Sequence, residues 1–473
     1  MFLPKKIRVL LILFIFIDLA ISFNQYYNTP IDGDLTYIVL PADKYRPVLS
    51  DPFGIYAISN NSKHSEANRF FSITTTRAYF KTIPFVAQTM MSPISSIYFS
   101  AAVFKLLTQL LIILLLSAII SGGLNLKEDT FILSSLLLSI FFQVGGYGST
   151  MGIIDGAITY TISYTLPVAL FLLLLYPLAI KHFHNQDAPL NQFFAVLLSL
   201  IAFVIPFFGN QIPILVISIL LLSIFVKFFY LKQKVNILNI ISDKKLKAGL
   251  LLALIVCLYS FFLSFYNSDR NLLDVSIVER YKKIPIGMFN ILFGKPGLWI
   301  LILLIFINTI LLKKSGNEKS ASFSLTLKWA CVFILIYVLL LPFDGYYEFK
   351  PNIIRRDNFL PGILILIFLF VQSSVYLVKQ NSNKGKIHKM LAAYLLLVIL
   401  LFTIADSPSL RKDNCQRASL EMLSLSDEKI TRLSDQCTIA SWYIIYDHKD
   451  SEVNAMVFNF WNITDKPKLY FQN

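Results

Sequence analysis

Charge is scarce in this chain: Asp, Glu, Lys and Arg make up 15% of its 473 residues, against 56% hydrophobic. A soluble globule carries about 25% charged residues, so that class is excluded. Acidic residues are the scarcer sign, 28 against 42 basic, for a formal net charge of +14. Cysteine is rarer still, four in all, and none is spaced as the paired CxxC motif of a zinc site. No internal repeat is visible, which weighs against the repeated halves of many secondary transporters. No small-residue cleavage site follows the first greasy run, so that run is read as a retained anchor, not a signal peptide.

Apolar runs long enough to cross about 30 Å of hydrocarbon as helices recur along the chain. Eleven lie near positions 7–23, 101–121, 131–144, 161–180, 193–208, 212–230, 250–266, 298–312, 327–341, 361–378 and 391–404. With the N-terminus inside, the inner connections collect Lys127, Lys181, Lys232, Lys234, Lys244, Lys245, Lys247, Lys313, Lys314, Lys319, Lys379, Lys384, Lys386 and Lys389. That is the positive-inside pattern. The net charge is thereby placed at the inner lipid surface and calls for no nucleic-acid partner. An odd number of spans leaves the C-terminus outside. The fold class is an all-α polytopic membrane protein, residues 1–405, with a small outer α/β domain over 406–473.

The outer face carries the longer segments. A first loop over 24–100 opens with NTPIDGDLTYIVLP, and its second part should lie along the interface with Arg69, Arg77 and Lys81 reaching headgroups. A surface helix is expected within 266–297. In the tail, SLEMLSLSDEKITRLSDQ reads as helix, while SWYIIYD and NAMVFNFWNIT read as strands. Cys415 and Cys437 are the one pair placed in an oxidising compartment, and a disulfide between them should staple the little domain. Asp18 and Lys105 fall inside the first two spans at roughly matched depths of 6 to 9 Å. A structural ion pair between those helices is expected, because lone charges in a membrane are costly.

Chemistry on an outer face has no nucleotide to draw on, so a transferase there takes its group from a lipid carrier. Such a reaction needs a carboxylate to take a proton from an acceptor hydroxyl and a cation to neutralise the departing phosphate, both at headgroup height. Asp32 and Asp34, immediately after the first span, meet the height requirement, and Gly33 suits a turn that aims both inward.

A first helix entering from inside, an acidic DxD-like motif opening a long first outer loop, about a dozen spans and an outer C-terminal domain together resemble the GT-C superfamily of polyprenyl-phosphate-dependent glycosyltransferases. The resemblance covers the whole chain as architecture and rests locally on Asp32, Gly33 and Asp34. It implies that Asp32 or Asp34 acts as base or metal ligand. Asp155, in GGYGSTMGIIDGAITYTISYTLP, would assist a divalent cation (Mg or Mn, held with Asp34) or the acceptor, and Arg355 or Arg356 would hold the lipid phosphate. It further implies a polyprenyl-phosphate-linked sugar as donor, a glycan, lipid or protein acceptor, and a bacterial inner membrane with the site facing the periplasm. The WWD-type signature of N-linked oligosaccharyltransferases is missing. Readings of another class are a lipid-linked polysaccharide polymerase or ligase, a transporter or flippase, and a non-catalytic assembly factor.

Overall fold

The computed structural model describes residues 4–142, 151–186, 191–227, 244–270, 275–314, 318–348, 350–381, 385–405, 413–434 and 436–472. Lys232, Lys234 and Lys384, the Gly145–Thr150 stretch, and the expected span ends at Val144 and Tyr230 lie outside them. In chain order the first half contains α1 (Lys5–Tyr27), α2 (Leu35–Val39), α3 (Phe70–Phe80), α4 (Ile83–Ala87), α5 (Pro93–Ser121), α6 (Asp129–Ser139), α7 (Ile158–His184), α8 (Gln192–Phe208) and α9 (Gln211–Phe225). The second half contains α10 (Ala248–Tyr266), α11 (Ile277–Phe293), α12 (Pro296–Lys314), α13 (Ser320–Asp344), α14 (Arg356–Gln380), α15 (Gly385–Ala405), α16 (Asn414–Leu425) and α17 (Glu452–Phe460).

Among the described residues, eight of these helices are long and apolar enough to cross a membrane: α1, α5, α7, α10, α12, α13, α14 and α15. In hydrocarbon only the helix satisfies every backbone N–H and C=O within its own segment. The remaining three apolar runs take other forms. Helices α8 and α9 are bent from each other by 113°, at Pro206 and at Gly209, whose φ of 130° no L side chain readily adopts. Helix α6 has 11 residues, but Arg8 pairs with Asp129 at 2.5 Å at one end and Tyr26 Oη donates to the Phe142 carbonyl at 3.4 Å at the other. Residues 129–142 therefore cover the same height as Arg8 to Tyr26 of α1.

The first loop and the tail build one body at one end of the bundle. Ile31, Leu35 and Phe80 of the loop share a core with Leu423, Phe458 and Tyr470 of the tail. Gln416 exchanges hydrogen bonds with the Ile31 backbone at 2.8 and 3.1 Å, Thr36 bonds Asn454 at 2.6 Å, and Trp461 Nε1 donates to the Phe80 carbonyl at 2.9 Å. The tail thus has no separate core of its own. Its strands also differ from expectation: β1 (Ile430–Leu433) and β2 (Leu469–Gln472) pair in parallel, while NAMVFNF forms most of α17. The buried residues of α17 are Asn454, Ala455, Val457 and Phe458, a helical face and not an alternation. Arg69 turns onto Glu66, half-buried, and does not serve as a headgroup anchor, and Lys81 lies over the Phe460 ring of the tail at 5.5 Å.

Cys415 and Cys437 are bridged, tying α16 to the segment that leads into Trp442. Replacing both by Ser reopens a loop of 22 residues in sequence and is expected to cost about 3 kcal/mol. The measurement is the melting temperature of the detergent-solubilised protein together with trypsin cleavage confined to the tail; unchanged values for both would remove the staple's role.

Candidate functional site

Asp32 is 6% exposed and is not among the residues lining the cleft described below. Its Oδ1 accepts from the Thr159 hydroxyl at 2.7 Å, its Oδ2 from the Thr159 amide at 3.2 Å, and Oδ1 also takes the Asp34 amide at 3.2 Å. Burial pushes its pKa up, and the Thr159 bonds and the positive charge of Lys105 oppose that rise. The first carboxylate is therefore a clamp between the first loop and the start of α7. The two aspartates expected to aim together part company here: Asp34 lines that cleft and Asp32 is not among its lining residues.

Gly33 has no left-handed φ. It serves a close approach instead, since a Cβ there would lie 2.5 Å from the Trp442 amide nitrogen and 2.8 Å from Trp442 Cδ1. Without that contact the tail could not seat its Trp442 beside Asp34. Asp34 and Trp442 line the same cleft, and Asp34 faces the Tyr45 hydroxyl at 3.5 Å. Burial raises its pKa and the neighbouring Asp32 raises it further, while Trp442, Lys44 and Arg69 pull it back.

Asp34 lines a cleft of about 990 Å3. The expected phosphate ligands Arg355 and Arg356 line it too, with Asp155, so four of the five anticipated site residues meet there and Asp32 stays behind the wall. Other walls come from Lys44, a plausible contributor from the first loop by sequence, and from residues the sequence reading did not place in the site: Arg69, Tyr160, Tyr164, Tyr347 and Trp442. Each cation is matched by a carboxylate. Arg69 pairs with Glu66 at 2.9 Å, Lys44 with Asp269 at 3.4 Å, Arg355 with Asp357 at 2.8 Å, and Arg356 with Asp155. The aromatic rings back these ions: Arg69 lies 5.3 Å from the Tyr164 ring centre and Arg355 lies 5.1 Å from that of Tyr160. Lys350 reaches the Tyr164 hydroxyl at 3.4 Å.

These pairings bear on a divalent cation. Mg²⁺ and Mn²⁺ need several free oxygen ligands, but Asp155 is engaged by Arg356, and no group of three or more His, Cys, Asp or Glu able to hold a metal occurs among the described residues. Asp34 and Asp155 as they stand do not fit a metal pair.

The Asp18–Lys105 ion pair is also corrected. Ser22 and Tyr26 of α1 both contact Gln109 of α5, at 3.4 and 2.8 Å. In this antiparallel register Asp18 lies opposite residues beyond Gln109, whereas Lys105 lies opposite the outer end of α1. The two are thus about two turns out of step along the axis. Lys105 donates instead to the Gly156 carbonyl at 2.6 Å, and its charge acts on Asp32. The expected penalty for one unmatched charge moves to this new pair. Lys105→Met should destabilise the protein by about 3 kcal/mol or more, and adding Asp32→Asn should restore part of the loss; a strictly additive double mutant in thermal unfolding would dissolve the coupling.

Comparison with protein-family models, with curated proteins and with solved structures gave no match, so the reading of this cleft stands on its geometry and chemistry.

Proposed function

We propose that the chain is an integral membrane glycosyltransferase that moves a sugar from a polyprenyl-phosphate or pyrophosphate carrier to an acceptor hydroxyl. The observation that carries the reading is Asp34 sharing one cleft with Arg355 and Arg356 at the ends of the apolar helices. A carboxylate facing a cationic wall at headgroup height is the minimum such a transfer needs.

In this mechanism the acceptor oxygen attacks the anomeric carbon as its proton passes to Asp34. The bond from that carbon to the phosphate oxygen breaks, its electron pair leaves on the lipid phosphate, and the anomeric configuration inverts. Arg355 and Arg356 neutralise the departing phosphate. Asp357 and Asp155 hold these guanidiniums in place beforehand, and an arriving phosphate exchanges with them as the anion. Nothing in the step is routed through a metal.

A second feature supports a lipid-linked donor. An apolar groove of about 410 Å3 lies among α5, α7, α9, α13 and α14, walled by Val168, Phe171, Leu215, Phe333, Pro361 and Phe368. Pro361 is five residues along α14 from Arg356, about 7.5 Å beneath the phosphate subsite, a fitting start for a prenyl chain. Helices that begin at the cleft carry lysines at their far ends, Lys181 on α7 and Lys379 on α14. By the positive-inside tendency the cleft then faces away from the cytoplasm, toward the periplasm of a bacterial inner membrane.

The test is glycan transfer from purified lipid-linked donor at matched expression. Asp34→Asn should lower kcat about 100-fold to 10,000-fold, as expected for a lost general base. Asp32→Asn should act mainly on thermal stability. Because Asp34 works deprotonated and its pKa is raised above 3.8, wild-type kcat should fall with acidification at a pH above the ordinary aspartate range. Ala at Arg355 or Arg356 should raise the donor KM more than it lowers kcat. Full turnover by Asp34→Asn with loss in the arginine variants would favour the polymerase or ligase reading, which shares the donor but not the base.

A further inference from the structure

Trp442 is a large ring left 52% exposed at the end of the most firmly tied stretch of the tail. Three successive carbonyls before it are all taken by side chains. Cys437 O accepts from Gln472 at 2.7 Å, Thr438 O from Gln416 at 3.1 Å, and Ile439 O from Asn454 at 3.3 Å and from Tyr470 Oη at 2.8 Å. Ala440 follows with φ 44°, a left-handed conformation that is unfavourable for a residue with a side chain. Ile439 and Ala440 are themselves buried in the core shared by loop and tail, so the restraints anchor the segment there while the Trp442 ring that follows is left outside it. They account for where the ring stands.

Its neighbours give the position chemical meaning. The Tyr160 ring lies 5.6 Å away, inclined by 39°, and Arg355 sits over the other end of that wall, 5.1 Å from the Tyr160 centre. Tyr160 thus touches both Arg355 and Trp442, and all three line the cleft together with Asp34. With the donor phosphate at Arg355, its sugar falls over Tyr160, and the next ring along the wall is Trp442, beside the base. A pyranose ring has one face of C–H bonds and a rim of hydroxyls. An indole face suits the first and a carboxylate the second. Peptide and acyl-chain acceptors present no such flat, two-sided shape.

We infer that Trp442, backed by Tyr160, is a stacking platform for a pyranose ring of the acceptor, which makes the acceptor a carbohydrate. This rests on the glycosyl-transfer reading of the same cleft and adds the class of acceptor. Saturation-transfer NMR on the full chain in lipid nanodiscs tests it, with methyl pyranosides of glucose, galactose, mannose and N-acetylglucosamine, and with maltotriose and chitotriose. At least one sugar should bind with saturation strongest on its ring C–H protons. Trp442→Ala and, on a separate element, Tyr160→Ala should each weaken that binding about tenfold, while Trp442→Phe stays within about threefold. Asp34→Asn should still bind, separating recognition from chemistry. No sugar binding by the wild type, or binding indifferent to both alanine variants at unchanged melting temperature, overturns the platform. Undiminished transfer by Asp34→Asn would instead undo the transferase reading and is read in a different assay.

Discussion

Asp32 holds two hydrogen bonds from Thr159 in a place closed to water, and the arrangement of the cleft follows from that clamp. A buried carboxylate is tolerated only when its oxygens are satisfied and an opposite charge is near. Thr159 supplies the first condition, at the start of α7, and Lys105 of α5 supplies the second. Three elements are thereby fixed to one another. Asp34 is two residues along and Asp155 four residues before Thr159, so the clamp also sets the distance between the cleft's acid and one of its arginine partners.

The cleft's cations come ready matched, and this explains how a concentration of guanidinium and ammonium groups persists beside a membrane. Burial lowers the pKa of Arg355 and Arg69, but Asp357 with Tyr160 at the first, and Glu66 with Tyr164 and Tyr347 at the second, together raise it. Left unmatched, such groups would carry the full desolvation penalty. A ligand anion entering this site exchanges one partner for another and does not meet a bare charge. Affinity then depends on geometry, which planar guanidinium groups provide through paired N–H donors.

Much of the helical architecture was legible because span length and hydropathy are dictated by the bilayer, and each of the eleven apolar runs is found as a helix or part of one. The aspartates, Arg355 and Arg356 were legible from their place next to spans. What was not legible came from long-range packing. NRFF gives no sign that Arg69 turns inward onto Glu66 and Tyr164, because a basic residue among aromatics reads equally as an interfacial anchor. SWYIIYD alternates like a strand, yet the two strands that do form lie elsewhere and Trp442 is spent on the cleft wall. Gly33 does lie in the expected turn, closed by the Leu35 amide on the Asp32 carbonyl at 3.4 Å, but its second role, admitting the tail, is visible only once Trp442 is in place.

The segment between α10 and α12 contributes Ser268 and Asp269 to the cleft and also caps a neighbouring helix end. Helix α13 ends in a tight turn, Leu341–Asp344, where the Gly345 amide donates to the Pro342 carbonyl at 3.3 Å and the last carbonyls of the helix run out of backbone donors. At the rim of a bilayer such groups cannot be left to chance solvation. Tyr281 takes the Leu339 carbonyl at 2.7 Å, Arg280 that of Pro342 at 3.0 Å, and Arg270 those of Phe343 and Asp344. Cations at a helix C-terminus also meet the negative end of its dipole. Gly345, with φ 98°, would place a Cβ 2.6 Å from Arg270 Cγ, so the turn after α13 can close only over a glycine. Tyr347 and Arg355, both of which line the cleft, follow this capped turn in sequence, so side-chain donors that satisfy the helix end also fix where the chain sets out toward the cleft's arginines.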